Sequence, residues 1–299
     1  MSVLVAGTGA LACYFSARLA GSGNKVTMLG SWPEGLAALR LHGVRLLDMD
    51  GRTLAFPVEV LRGEEARGNF ESALVLVKSW QTARVASQLQ NCLARDGIAL
   101  TLQNGSGNDE ILKEVLGPGR VALGITTLGA RMLEPGYVQY TGQGKVSLEA
   151  RPNLGSLEEL LRKAGFQVEM VDDPTSLLWG KLVINAAINP LTALLRVANG
   201  ELLERPEAHQ LLALAAQEAA AVALAGGIRL PYTDPVLVAE QVARNTAPNL
   251  SSMLQDVLRG AVTEIEAING AIVRRGEQLG VPTPVNKMLW QLVTSLDHH

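Results

Sequence analysis

A lysine and two carboxamides, Lys181, Asn185 and Asn189, recur at i, i+4 and i+8 in an otherwise apolar stretch of Leu, Val, Ile and Ala. On a helix that spacing drifts only about 40° per step, so the three share one stripe. Burying an ammonium and two amides costs on the order of several kcal/mol unless they find partners. A solvated stripe is usually broader and more charged, so this one is expected to face a ligand. A second polar intrusion is Glu264, in the run Asn249 to Gly270. Read as one helix, that run puts Glu264 on a face with Val257, Ala261 and Ile268, while Glu266 falls well round from it. A carboxylate there needs a partner, and two roles stay open: a structural pair with Arg259 or a more distant base, or a part in catalysis.

The helical pattern that carries the first stripe starts near Ser176 and is followed to Pro190. At the other end of the chain, Val3-Leu4-Val5-Ala6 reads as a strand, Gly7-Thr8-Gly9-Ala10-Leu11-Ala12 as a tight turn, and Cys13 to Ala20 as an amphipathic helix. Strand, glycine turn and helix together form a dinucleotide fingerprint. Gly7 permits the turn, Gly9 lets the backbone approach a pyrophosphate, and Ala12 is the small residue where strand and helix pack closely. The free N–H groups of the helix end would hold the phosphates.

The second strand, Lys25 to Leu29, ends where the adenosine ribose should lie. An NAD site places Asp or Glu there, and an NADP site usually Arg, but this chain has Gly30-Ser31-Trp32. Neither a repelling carboxylate nor a clamping guanidinium is present, so the residues leave the cofactor open. Two more apolar runs, Ala73 to Val77 and Ile98 to Leu102, read as buried parallel strands. Ligands meet such sheets at the carboxyl ends of the strands, which singles out Lys78 and Asn104. A solvated loop lysine and an Asn-Gly turn remain the plainer alternatives for these two.

A helix and a last strand, Gln167 to Val171, precede Asp172-Asp173-Pro174, after which the sequence is long and helical in texture. Two domains are therefore expected: residues 1–172, an α/β domain with a Rossmann-type, mostly parallel sheet, and residues 173–299, all helical. The 299 residues are 47% apolar, 18% charged and 4% aromatic with a formal charge of -3, which excludes a fibrous or disordered chain and offers no basic face for nucleic acid. The greasiest stretch, Leu211 to Gly227, is cut by Gln217 and Glu218, so no uninterrupted apolar span, and no membrane partner, is expected. Met1 to Val5 has no basic segment of the kind that opens a secretory signal, and Cys13 and Cys92 are too few for a disulfide framework, so the expected location is the cytoplasm. His42, His209 and the terminal His298-His299 show no metal-ligand spacing, and no metal is expected; the last two residues resemble a tag remnant.

Taken in order, Gly7-Thr8-Gly9-Ala10-Leu11, Val77-Lys78-Ser79-Trp80-Gln81, Gln103-Asn104-Gly105, Trp179 to Asn185, Asn189-Pro190-Leu191-Thr192-Ala193, Asn199-Gly200-Glu201-Leu202, Ser251 to Asp256 and Thr263 to Gly270 resemble the ketopantoate reductase (2-dehydropantoate 2-reductase) family over nearly the whole chain. The resemblance implies a Rossmann domain, a helical domain, an active site in the cleft between them, and NADPH-dependent reduction of 2-dehydropantoate (ketopantoate) to (R)-pantoate, on the way to pantothenate and coenzyme A. It implies that Lys181 gives a proton to the C2 carbonyl oxygen, where an ammonium suits the developing charge. Glu264 would bind the substrate hydroxyl and support the lysine; Asn185 and Asn189 would bond substrate, Ser252 its carboxylate, and Asn104 would sit between substrate and nicotinamide. Gly7, Thr8, Gly9, Ala10, Leu11, Ala12, Ser31, Lys78, Asn104 and Glu264 form the implied cofactor set. Many members of the family carry Arg where this chain has Ser31, so NADP(H) with weakened discrimination is expected, NAD(H) also being accepted. Helical second domains of this kind often form homodimers. Two rival functions remain: a reductase of another 2-oxo acid, and a nucleotide-sensing Rossmann protein without chemistry, for which a retained Lys181, Asn185 and Glu264 would be superfluous.

Overall fold

The computed structural model describes residues 1–142 and 144–296, apart from the side chain of Glu64, so the His298-His299 pair lies outside the described residues. They form two compact units: Met1–Gln103 with Asn108–Pro174, and Asn104–Gly107 with Thr175 onward. The loop Asn104–Gly107 thus groups with the helical unit, which a single cut at residue 172 does not provide for.

The first unit contains β1 (Ser2–Ala6), α1 (Ala10–Gly21), β2 (Lys25–Gly30), α2 (Pro33–His42), β3 (Val44–Leu47), β4 (Thr53–Phe56), β5 (Glu59–Arg62), β6 (Phe70–Val75), α3 (Thr82–Leu89), β7 (Leu93–Thr101), α4 (Asn108–Leu116), β8 (Val121–Thr126), β9 (Gly129–Glu134), β10 (Tyr137–Gly142), β11 (Val146–Glu149), α5 (Gly155–Lys163) and β12 (Val168–Val171). Its large sheet runs in the order β12-β11-β8-β7-β6-β1-β2-β5. Every pair in it is parallel except β8 with β11. The chain moves outward from β1 through β2 to β5 and then returns to the other side of β1 at β6. That reversal makes the crevice beside β1 the natural ligand position. Leu4, Ala73, Leu74, Val75, Ala99 and Leu100 are fully buried, which is why these strands read as unbroken apolar runs.

A smaller sheet, in the order β4-β3-β10-β9, is not visible in the apolar runs. It explains a departure in α1. Ala12 through Ala17 are consecutively buried, so the helix is covered all round rather than amphipathic. α1 packs against β3, β9 and β10 on its outer side. There Tyr14 stacks on Tyr140 with ring centroids 5.1 Å apart, while Phe15 stacks on Phe166, just before β12, at 4.4 Å. Helices immersed on both sides lose the one-faced pattern.

The second unit is helical: α6 (Pro174–Leu195), α7 (Glu201–Glu204), α8 (Pro206–Ala225), α9 (Pro235–Asn245), α10 (Ser252–Leu258), a π-helical turn Glu266–Gly270, α11 (Ala271–Leu279) and α12 (Pro284–Thr294). Its core sets Leu182, Val183, Ala186 and Ala187 of α6 with Ala215, Ala216, Ala219 and Val222 of α8. Both α6 and α8 are long and apolar enough to cross a membrane by length and composition, a looser criterion than an uninterrupted apolar run. Most of α6 is buried, as core helices are.

Candidate active site

Gly7 follows β1 at φ +132°, a conformation side chains resist. A Cβ there would stand 2.9 Å from the Leu76 carbonyl oxygen and 3.2 Å from the Ala12 Cβ, so glycine at 7 and a small residue at 12 are both steric requirements. Gly9 differs: a Cβ on it would meet nothing within 4 Å. The protein itself therefore does not demand glycine at 9. Gly9 is the exposed N-cap of α1, with no capping side chain and no acid in the first turn. Uncapped amides at a helix start, beside a glycine with open space around it, are the form a pyrophosphate cradle takes. Thr8 between the glycines is 7% exposed, while Ala10 and Leu11 open α1 half-buried. Ser31 is exposed one residue past β2, and half-buried Lys78 follows β6 and leads into a short 3₁₀ turn, Ser79–Gln81. The first unit thus brings Gly7–Ala12, Ser31 and Lys78 to the carboxyl ends of three adjacent strands, β6, β1 and β2. These residues fit a dinucleotide.

In the second unit Lys181, Asn185 and Asn189 lie on successive turns of α6, the first two half-buried and Asn189 buried. The helix continues past Pro190 to Leu195, and the reason is a distant side chain. Pro190 has no N–H for the Ala186 carbonyl. Asn269 of the π turn supplies the missing donor through Nδ2 at 3.1 Å, and donates also to Asn286 Oδ1 at 3.0 Å. Asn286 donates in turn to Glu218, whose carboxylate accepts the Val285 and Asn286 amides at 2.9 Å. No local signal in the sequence links Pro190 with Asn269.

The loop and the π-turn region deliver the other two members of the site. Lys181 Nζ donates to Asn104 Oδ1 at 2.7 Å, and Asn104 Nδ2 donates to Glu264 Oε2 at 3.2 Å. Cation and anion on opposite ends of the amide fix which way it is oriented. Gly105 at φ +85° turns the loop, and Ser106 N–H donates to the Ala267 carbonyl at 3.0 Å, tying it to the π turn. Glu264 is 4% exposed, but the face expected for it needs correction. Helix α10 stops at Leu258, and Gly260 at φ +62° turns the chain so that Ala261 N–H bonds the Asp256 carbonyl. Val257 and Ala261 therefore lie outside the turn that holds Glu264, whose own carbonyl accepts the Ala267 and Ile268 amides. Nor is Arg259 its partner, for Arg259 pairs with Asp256 at 2.9 Å.

Burial pushes the Lys181 ammonium down from 10.5 to about 8, against the opposing pull of Glu264. A lysine so placed can exchange its proton near neutral pH, and while charged it stabilises an oxyanion. Ser252 is exposed at the first position of α10. Its neighbour Ser251 is the buried cap, accepting from Leu254 N–H at 3.1 Å and from Thr192 Oγ1 at 2.7 Å. Among the described residues no group of three or more His, Cys, Asp or Glu could hold a metal.

Comparison with known proteins follows the same outline. Residues 3–153 match the family described as "Ketopantoate reductase PanE/ApbA", and residues 174–297 match "Ketopantoate reductase PanE/ApbA C terminal". The chain is 36% identical over 302 residues to a 2-dehydropantoate 2-reductase of Halobacterium salinarum, covering 98% of both. It is 40% identical over 236 residues to one of Archaeoglobus fulgidus, covering 75% of both. Among solved structures, a PanE/ApbA family ketopantoate reductase from Ralstonia eutropha superposes with a TM-score of 0.92 at 32% identity, over 99% of this chain and 98% of that one. A D-mandelate dehydrogenase with NADH and anilino(oxo)acetate superposes at 0.93 with 27% identity and the same coverage. With matches to both halves of the fold, the chain belongs to the ketopantoate reductase family.

Proposed function

We propose that this chain is a 2-dehydropantoate 2-reductase that uses NADPH, with NADH as a poorer donor, and that Lys181 is its proton donor. The observation that carries this is the Lys181–Asn104–Glu264 chain of hydrogen bonds, which holds an acid of lowered pKa in the family's motif positions. The bound nicotinamide supplies the hydride. Gly7 to Ala12 would hold its pyrophosphate, with Ser31 at the 2′-phosphate and Lys78 near a cofactor phosphate. Lys181 stabilises the oxygen of the C2 carbonyl and transfers its proton there; Asn104 holds the ammonium in place and spaces it from Glu264. Glu264 would also accept the substrate's distal hydroxyl, while Asn185, Asn189 and Ser252 would bond its other polar groups. The test is oxidation of NADPH by purified protein with ketopantoate, repeated with NADH. No turnover with either donor, or a strong preference for NADH, would contradict it.

A second assignment, reduction of another 2-oxo acid, is favoured by the structural likeness to D-mandelate dehydrogenase. A panel of 2-oxo acids separates the two: the buried Glu264 carboxylate predicts faster turnover of the substrate that carries a hydroxyl.

The pH profile follows from the lysine. Reduction needs the ammonium, so log kcat is expected to level off below about pH 8 and fall with unit slope above it; oxidation of the product needs the free amine and rises through the same pH. Glu264 raises the lysine's pKa, so Glu264→Gln should move this limb to lower pH. A limb that stays in place would separate Glu264 from Lys181.

A homodimer through the helical unit is proposed on one observation. An apolar groove is lined by Leu191, Leu195, Leu211, Met288 and Leu292, together with Arg205 and Glu207. A two-fold interface is self-complementary, so one groove on each copy is enough to bury both apolar faces, and Arg205, which pairs with Glu201 in its own chain, and Glu207 give the rim both signs of charge. Sedimentation at micromolar concentration should give twice the chain mass, and Leu292→Glu should give a monomer. A monomeric wild type would remove the proposal.

A further inference from the structure

The sequence leaves the ribose end of the dinucleotide site without the arginine that would clamp a 2′-phosphate, yet the sheet brings one there. Strand β5 pairs in parallel with β2, with Thr27 opposite Glu59, Met28 opposite Val60, Leu29 opposite Leu61 and Gly30 opposite Arg62. Arg62 therefore stands beside the last residue of β2, one strand spacing of about 4.8 Å away, and next to Ser31. Residues paired in a ladder share a face of the sheet. The face is identified by Gly30, whose Cβ, if present, would run into Thr8 Cγ2 at 2.5 Å. Arg62 thus leaves the sheet on the side of the glycine turn, at the carboxyl edge where the cofactor is expected.

The charges around it leave this guanidinium available. Glu59, three residues back along β5, is engaged by Lys25 at 2.8 Å and by the Thr27 hydroxyl at 3.2 Å. Positions 30–32 carry no carboxylate; the acids with described side chains that lie close in sequence are Glu65, exposed three residues beyond Arg62 and in no ion pair with it, and exposed Glu34 in the opening turn of α2. Arg62 is exposed and makes no ion pair among the described residues. An arginine fork beside a serine hydroxyl matches a phosphomonoester dianion: two parallel N–H donors on one side and an O–H donor on the other.

We infer that Arg62 and Ser31 form the 2′-phosphate site, so that the guanidinium usually supplied from the end of β2 comes here from the adjacent strand. The inference rests on the proposal that this unit binds a nicotinamide dinucleotide, and it assigns the cofactor preference to a residue outside the fingerprint.

The test uses binding as well as turnover. Calorimetric titration with adenosine 2′,5′-bisphosphate and with 5′-AMP should show tighter binding of the bisphosphate to the wild type. Arg62→Ala should weaken the bisphosphate about 10- to 100-fold while changing 5′-AMP less than about twofold, and Arg62→Lys should recover part of the loss. The ratio of kcat/KM for NADPH over NADH should fall in parallel. Unchanged bisphosphate affinity in Arg62→Ala, or equal weakening of both nucleotides, overturns the role of Arg62 and leaves the dinucleotide site standing. A wild type that binds neither nucleotide overturns the site itself and the inference with it. Because Arg62 is exposed at a strand end, circular dichroism of the variant should match that of the wild type.

Discussion

Lys181→Ala is expected to lower kcat for the reduction about 10²- to 10⁴-fold, the usual worth of a positioned general acid. The loss should fall on kcat, because the ammonium acts on charge that develops only as the carbonyl is reduced. Cofactor affinity, set by the glycine turn of the other unit, should change little, and fluorescence titration with NADPH reads this separately. The pH limb near 8 should vanish from whatever activity remains, since the titrating group has gone. Stability carries the same signature. The folded protein holds Lys181 at about 8 against 10.5 when free. Between those values the unfolded chain binds more protons, so wild-type stability should rise with pH over that window; below it the full cost of desolvating the ammonium is present. In Lys181→Ala that rise should be absent. Near-normal turnover in the variant would remove Lys181 from the mechanism.

The polar residues that interrupt apolar helices were legible because burial of charge is costly and seldom accidental. Lys181, Asn185 and Asn189 share one helix, where a period of 3.6 is enough to place them together. Glu264 is buried for a different reason from the one the pattern suggests: a left-handed Gly260 turns the chain after α10, the Glu264 carbonyl accepts the Ala267 and Ile268 amides, and Asn104 bonds the carboxylate. Nothing within a single helical window reports such a break. The main parallel strands were legible because both faces are covered, whereas β3, β4, β9 and β10 have half-exposed residues and blend with loops. The contact between Asn104 and Lys181 is non-local, spanning 77 residues, as is the one between Asn269 and the carbonyl freed by Pro190, spanning 83. Both depend on where separate segments come to rest, and residue type alone does not encode that.

Gly105→Ala should be the most disruptive single methyl in the site, and its neighbour supplies the control. Gly105 and Gly107 both have positive φ, +85° and +94°, so alanine at either carries a conformational cost of about 1 to 3 kcal/mol. They differ in surroundings. A Cβ on Gly107 would meet nothing within 4 Å, whereas one on Gly105 would stand 2.6 Å from the Ala267 Cβ and 2.7 Å from its carbonyl oxygen. The carbonyl is backbone and cannot rotate away. It is also the acceptor for Ser106 N–H, and the Ala267 amide donates to the Glu264 carbonyl at 3.1 Å. The strain therefore pushes on Asn104, which holds the Lys181 ammonium, from one side and on Glu264, which holds Asn104, from the other. Gly107→Ala should lower Tm by a few degrees and keep most of its turnover. Gly105→Ala should lower Tm further and reduce kcat about 10²-fold or more, since displacements near 1 Å are costly in a preorganised site. Asn104→Ala separates the two effects: it removes the bonds to Lys181 and Glu264 without adding a clash with Ala267, so turnover should fall with a smaller loss of Tm than in Gly105→Ala. Equal behaviour of Gly105→Ala and Gly107→Ala would mean that the loop yields to the methyl and that its contact with Ala267 does not hold the site together.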